Sequence, residues 1–115
     1  MPNITALQVL ISSAARSPGT YYSNGIKVAA CHALSFYEKV SAKSGSPTLD
    51  TVIQTSPNNV DWSDVNSFTQ KTAAGFDSEH MAMETFGSYV RVKSTVGGTG
   101  SMTFQIELEK KENYD

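Results

Sequence analysis

Nucleophilic catalysis requires a nucleophile held beside a base that is itself oriented. The available imidazole bases are His32 and His80, and the sole thiol is Cys31. Neighbouring residues on a strand point to opposite faces, so Cys31 and His32 do not form a working pair there. Cys31 reads as a small core residue. For a metal ion the best group is Asp77, Glu79, His80 and Glu84, with Asp61 and Asp64 elsewhere. No D-x-D-x-D-G loop, H-x-H or C-x-x-C spacing supports it, so the group reads as a solvated acidic loop. Among 11 acidic residues some pair always falls at a glycosidase-like spacing by accident, and a domain this small suggests no cleft. Gly97-Gly98-Thr99-Gly100 lacks the Lys-Ser/Thr of a phosphate-cradling loop and is followed by a strand, so it reads as a hairpin turn. The expectation is a protein that is not an enzyme and takes no cofactor or metal.

The aromatic residues remain. Tyr21, Tyr22, Tyr37, Tyr89 and Trp62 could form a sugar-stacking platform or an interface hot spot. Trp62 is expected in the core. Tyr21 and Tyr22, a pair in a polar loop, are expected at an interface. The alternative to a protein partner is a carbohydrate.

The elements that carry these residues read as strands. In Met102 to Glu109 every even position is apolar and every odd one polar, which marks a strand with one buried face. Tyr89 to Lys93 alternates likewise, with Val90, Val92 and Val96 inward. Together the two read as an antiparallel hairpin joined through the glycine run. Leu34, Phe36 and Val40 alternate with Ser35, Tyr37 and Lys39. Lys43-Ser44-Gly45-Ser46-Pro47 reads as a loop, Thr48 to Thr55 as a strand and Ser56 to Asn59 as a turn. Val60 to Trp62 and Val65 to Gln70 give a shorter strand. Ile4, Leu7, Val9 and Ile11 suggest a first strand, and Asn24-Gly25 a turn. Residues 25–34 and 73–85 tolerate helix but are read as strands. Turn signals every 8–15 residues or so point to an all-β fold, specifically an antiparallel β-sandwich of jelly-roll type with about eight strands.

The 115 residues suit one domain, 1–115, with flexible arms at 1–17 and 110–115. Charged residues are 17%, against about 25% in average soluble proteins, and Ser, Thr, Asn and Gly fill the difference. The net charge is −2 and basic residues do not cluster, so no nucleic-acid partner is expected. No apolar run approaches the roughly 20 residues of a membrane helix, so no membrane partner is expected either. One cysteine permits no internal disulfide. Met1-Pro2-Asn3 has neither a basic region nor an apolar run after it. The expectation is synthesis in a reducing cytoplasm, where the protein stays or from which it leaves by lysis rather than secretion.

One long stretch carries a resemblance. Leu49 to Trp62 contains Thr55-Ser56-Pro57-Asn58-Asn59 ahead of Trp62. Ser67-Phe68-Thr69, Tyr89-Val90-Arg91-Val92 and Gly97-Gly98-Thr99-Gly100-Ser101-Met102-Thr103-Phe104 follow in order. This pattern resembles small structural proteins of tailed bacteriophages, although Asn58-Asn59 stands where Asp-Gly is usual. The resemblance covers about half the chain. It implies a virion component at the capsid surface, made in the host cytoplasm. Such a capsid decoration or cement protein would bridge copies of the major capsid protein and associate with itself as a dimer or trimer. A tail or neck component is the neighbouring alternative. Pro57 and Asn58 would form the hairpin tip, with Trp62 packed beneath it. Arg91 would pair with Asp61 or Asp64 in the same sheet.

Overall fold

Two strands dominate the chain, each far longer than an ordinary strand of five or six residues. In the computed structural model, which describes residues 3–113 and the side chains of 7–82 and 84–112, β4 spans Cys31–Ser56 and β7 spans Tyr89–Asn113. They pair antiparallel along their whole length, from Cys31 opposite Glu112 to Ser56 opposite Tyr89. The other strands are β1 (Asn3–Arg16), β2 (Gly19–Tyr22), β3 (Ile26–Lys27), β5 (Ser63–Ser67) and β6 (Gly75–Ala82). Among the described residues the helical structure is one 3-10 turn at Met83–Thr85.

The β4–β7 ribbon bends midway, and each half builds a sheet. Residues 31–44 and 101–113 take β6 and β1 as outer neighbours. Residues 46–56 and 89–98 take β5 on one side and β2 with β3 on the other. Counting each long strand twice, and β2 with β3 as one edge, there are eight segments in two four-stranded sheets. The chain changes sheet at every step except the β4–β5 turn. This is the wiring of a jelly roll.

The core follows from the alternation. On β7, Val90, Val92 and Val96 from one sheet and Met102, Phe104, Ile106 and Leu108 from the other are all buried. On β4 the buried apolar residues fall at even positions from Leu34 to Val40 and at odd positions from Leu49 to Ile53. The register shift between Val40 and Ala42 supplies the extra residue that swaps the faces. Both sheets contribute to one apolar cluster.

Several local expectations are corrected here. Gly97 to Gly100 is not a hairpin turn and Lys43 to Pro47 is not a loop. The two segments pair with each other, Gly45 opposite Gly100 and Pro47 opposite Gly98, and form the bend of the ribbon. Gly45, Gly98 and Gly100 have φ of 79°, 74° and 94°, which sharply turns a strand without ending its pairing. Asn24-Gly25 does not reverse the chain either. β2 and β3 run in one direction along the same stretch of β7, and Ser23 N donates to Val92 O between them. The stretches expected as arms are strand where described: Asn3 to Arg16 pair with Asn113 to Met102. Residues 1–2 and 114–115 lie outside the described residues. The first strand is present, and on it Leu7 and Val9 are 62% and 56% exposed. The register shift between Val9 and Ile11 turns Ile11 into the core and leaves Leu7 and Val9 outside.

Candidate functional site

The turn after β4 organises the most distinctive surface cluster. Asn58 Oδ1 accepts the backbone N–H groups of Val60 and Asp61, both at 2.9 Å, and the Ser56 hydroxyl at 3.0 Å. Asn58 Nδ2 donates to Asp61 Oδ2 at 2.8 Å. Asn59 takes φ 62°, a left-handed conformation that Asn tolerates. The turn so formed reaches over its own sheet. A Cβ at Gly25, on the opposite sheet edge, would strike the Asn59 carboxamide and stand 3.0 Å from the Trp62 ring.

Trp62 is therefore not a core residue, as the sequence suggested, but a half-buried surface one. The guanidinium of Arg91 lies over it, 4.4 Å from the ring centre, and over Tyr22, 4.6 Å from the ring centre. Arg91 makes no ion pair with Asp61 or Asp64. Its Nε donates to Gln54 Oε1 at 2.7 Å, and Gln54 Nε2 donates to Asp64 Oδ1 at 2.8 Å. The register explains the relay, since Gln54 stands opposite both Arg91 and Asp64. Beside it, Val52, Asp64, Val65, Asn66 and Ser67 line a shallow depression of about 270 Å³.

The tyrosine pair divides. Tyr22 is exposed and belongs to this cluster. Tyr21 packs against the core, donates its hydroxyl to Ser17 O, and lies under the Arg16 guanidinium. Pro57 is exposed at the turn.

The outer face of the other sheet carries a second surface. Leu7 stands opposite Glu109, and Val9 opposite Glu107, which in turn faces Tyr37. Tyr37 stacks on Phe76, 5.9 Å between ring centres, and Phe76 is 65% exposed.

The residues weighed for chemistry are dispersed. Cys31 is buried, and burial chiefly, with Glu112 adding, pushes its thiol pKa up, which disfavours the thiolate. His80 bonds to Ser35 Oγ through Nδ1 at 2.8 Å. Asp77 pairs with Lys71 at 3.0 Å, a hydrogen bond that holds its carboxyl below the usual range, and Glu79 accepts from Asn66 Nδ2. These last two contacts tie β6 in one sheet to the segment around β5 in the other. Among the described residues no three His, Cys, Asp or Glu side chains converge on a metal position.

Sequence reasoning missed two polar residues. Gln54 was legible only as an outward position on its strand. Glu38 shares the even-numbered buried face with Leu34, Phe36 and Val40, and it is fully buried. Neither carboxylate oxygen has a well-formed hydrogen bond, and the nearby Thr51 hydroxyl shares one with Ser94 Oγ at 2.8 Å. Burial raises the Glu38 pKa to about 7. Asp77 and Asp50 add to the shift, and Thr51 and Lys71 oppose it.

No family model matches the chain, and no curated protein matches it in sequence. Solved structures do match in fold. The PBSX exported protein XepA superposes on 96% of this chain with TM-score 0.73 and 13% identity. The VP2 subviral particle of infectious bursal disease virus superposes on 96% with TM-score 0.65 and 12% identity. The chain spans only 38% and 33% of those two chains. A subunit of the disulfide-linked pili that form Bacillus endospore appendages is matched over 99% of this chain and 93% of its own, with TM-score 0.64 and 9% identity. At these identities the common property is the fold, an all-β sandwich also used by viral capsid proteins.

Proposed function

We propose that this chain is a non-enzymatic structural protein of a phage particle, a capsid decoration or cement protein that bridges copies of the major capsid protein at the particle surface. The observation that carries this reading is the pair of outer faces. A sandwich whose core is already complete keeps Leu7, Val9 and Phe76 more than half exposed on one sheet, and Trp62, Arg91 and Tyr22 together on the other. Trp, Tyr and Arg are the residue types that dominate binding at protein interfaces. A domain with an adhesive group on each face can join two neighbours, and binding only the assembled shell favours that shell by mass action. The fold likeness to XepA and VP2, and the sequence resemblance across Leu49 to Phe104, support the virion setting.

The test is addition of purified protein to particles that lack it. Co-sedimentation with emptied capsids and a higher capsid melting temperature are the expected results. Failure to add at micromolar protein overturns the reading.

A second reading, a subunit of a self-associating filament, is favoured by the near full-length match to the endospore pilus subunit. Concentration-dependent fibres of the isolated protein in electron micrographs would support it over capsid decoration. A disulfide through buried Cys31 is not the bond that would link them.

A further inference from the structure

The Arg91 cluster holds a guanidinium in place without using the part of it that binds anions. Arg ordinarily loses considerable rotamer freedom when it forms an ion pair. Here that ordering is already complete. Nε is fixed by Gln54, Gln54 is fixed by Asp64, and two aromatic rings pack on the guanidinium. The nearest acid in the row, Asp64, is taken by the Gln54 amide rather than by Arg91. The Nη1 and Nη2 groups make no hydrogen bond among the described residues. Those two N–H groups form the fork that meets a carboxylate through two parallel bonds.

We propose that Arg91, positioned by Gln54 and flanked by Trp62 and Tyr22, is a docking site for an aspartate or glutamate side chain of a protein partner. Two observations select this occupant. The open Nη1–Nη2 fork matches the two oxygens of one carboxylate, and the Asp61 and Asp64 carboxylates beside it are held by the Asn58 and Gln54 amides instead. A sugar platform needs open ring faces, whereas Trp62 and Tyr22 each give a face to Arg91. The inference rests on the reading that the chain works by binding protein, and it names the chemistry of one face.

Trp62 is the only tryptophan in the chain, so its fluorescence reports on the site directly. Full-length protein would be titrated with hexaglutamate, with hexaglutamine, and with a hexasaccharide of glucuronate. Saturable change with hexaglutamate and none with hexaglutamine is expected. Arg91→Lys keeps the charge but loses the fork, and weakens hexaglutamate binding at least tenfold. Tyr22→Ala, at an exposed position, gives a smaller loss and covers the case in which the lysine variant fails to fold. Equal binding by Arg91→Lys overturns the site, as does an absence of saturation. A lower half-saturation for glucuronate than for hexaglutamate reassigns the face to a carbohydrate. If the unaltered protein adds to capsids and folded Arg91→Lys adds equally well, this inference fails while the structural role stands.

Discussion

Gly45 and Gly100 stand opposite one another at the point where the two longest strands pass from one sheet to the other. Each has a positive φ, and each leaves room for the other's strand. A Cβ at Gly100 would collide with the carbonyl oxygen of Ser44 and stand 3.0 Å from the Cα of Gly45. The bend thus depends on backbone approaching backbone, which only glycine permits. Gly100→Ala is expected to cost about 2 kcal/mol or more, seen as a lower urea midpoint with unchanged slope. Gly97→Ala is the control. It lies outside the positive-φ group and meets only the Thr48 hydroxyl, a movable side-chain atom. Its loss should be well under half as large.

Glu38 links stability to pH. Its pKa in the folded protein is about 7 against an ordinary value of 4.5, so the folded state holds the proton more tightly. The stabilisation is complete below about pH 4.5 and is lost as pH rises through 7. It amounts to roughly 3 kcal/mol. Asp77 acts in the opposite direction. Its lowered pKa contributes stability above the ordinary aspartate range that is lost on acidification. Glu38→Gln should match the unaltered protein near pH 4 and exceed it at pH 8, as measured by chemical denaturation at both values. A parallel decline of both proteins between pH 4.5 and 7 would remove Glu38 as the cause.

Asn58 explains why the turn differs from the usual Asp-Gly pattern. Its amide donates to the Asp61 carboxylate while its oxygen accepts two backbone N–H groups. Asn58→Asp keeps the acceptor but sets two carboxylates against each other. The expected loss is about 1 kcal/mol at neutral pH, with a red-shifted Trp62 emission as the turn loosens over the ring. Recovery at pH 3 would confirm charge repulsion as the mechanism, and a loss independent of pH would refute it.

Leu7 and Val9 separate stability from association. Both are exposed, so Leu7→Thr with Val9→Thr should change stability by no more than about 0.5 kcal/mol per site. If the outer face of the β1 sheet binds a neighbour, the same pair of changes should reduce capsid addition at least tenfold. A variant with unchanged melting and unchanged capsid addition would exclude this face from the interface.

Much of the core was legible from local pattern alone. Val90, Val92, Val96, Met102, Phe104, Ile106 and Leu108 point inward because a strand's side chains alternate, whatever its partner is. The turn at Ser56 to Asn59 was equally legible, since Asn58 satisfies it with contacts two and three residues away. The glycine run was not. Whether Gly97 to Gly100 reverses the chain or merely bends it depends on which strand lies alongside. That strand is β4, about fifty residues earlier in the sequence.

The same division holds for the surface. Residue chemistry identified Trp62 and Tyr22 as worth attention, and the resemblance to phage structural proteins added Arg91. Only the tertiary structure decided that these three residues meet, because they come from three segments brought together by sheet order. It also decided that Gln54 separates Arg91 from Asp64, and that Leu7 and Val9 face outward after a shift in register. Alternation and turn chemistry act over a few residues and can be read along the chain. Register, bulges and strand neighbours are set by distant segments competing to bury the same apolar faces, and a linear sequence does not display that competition.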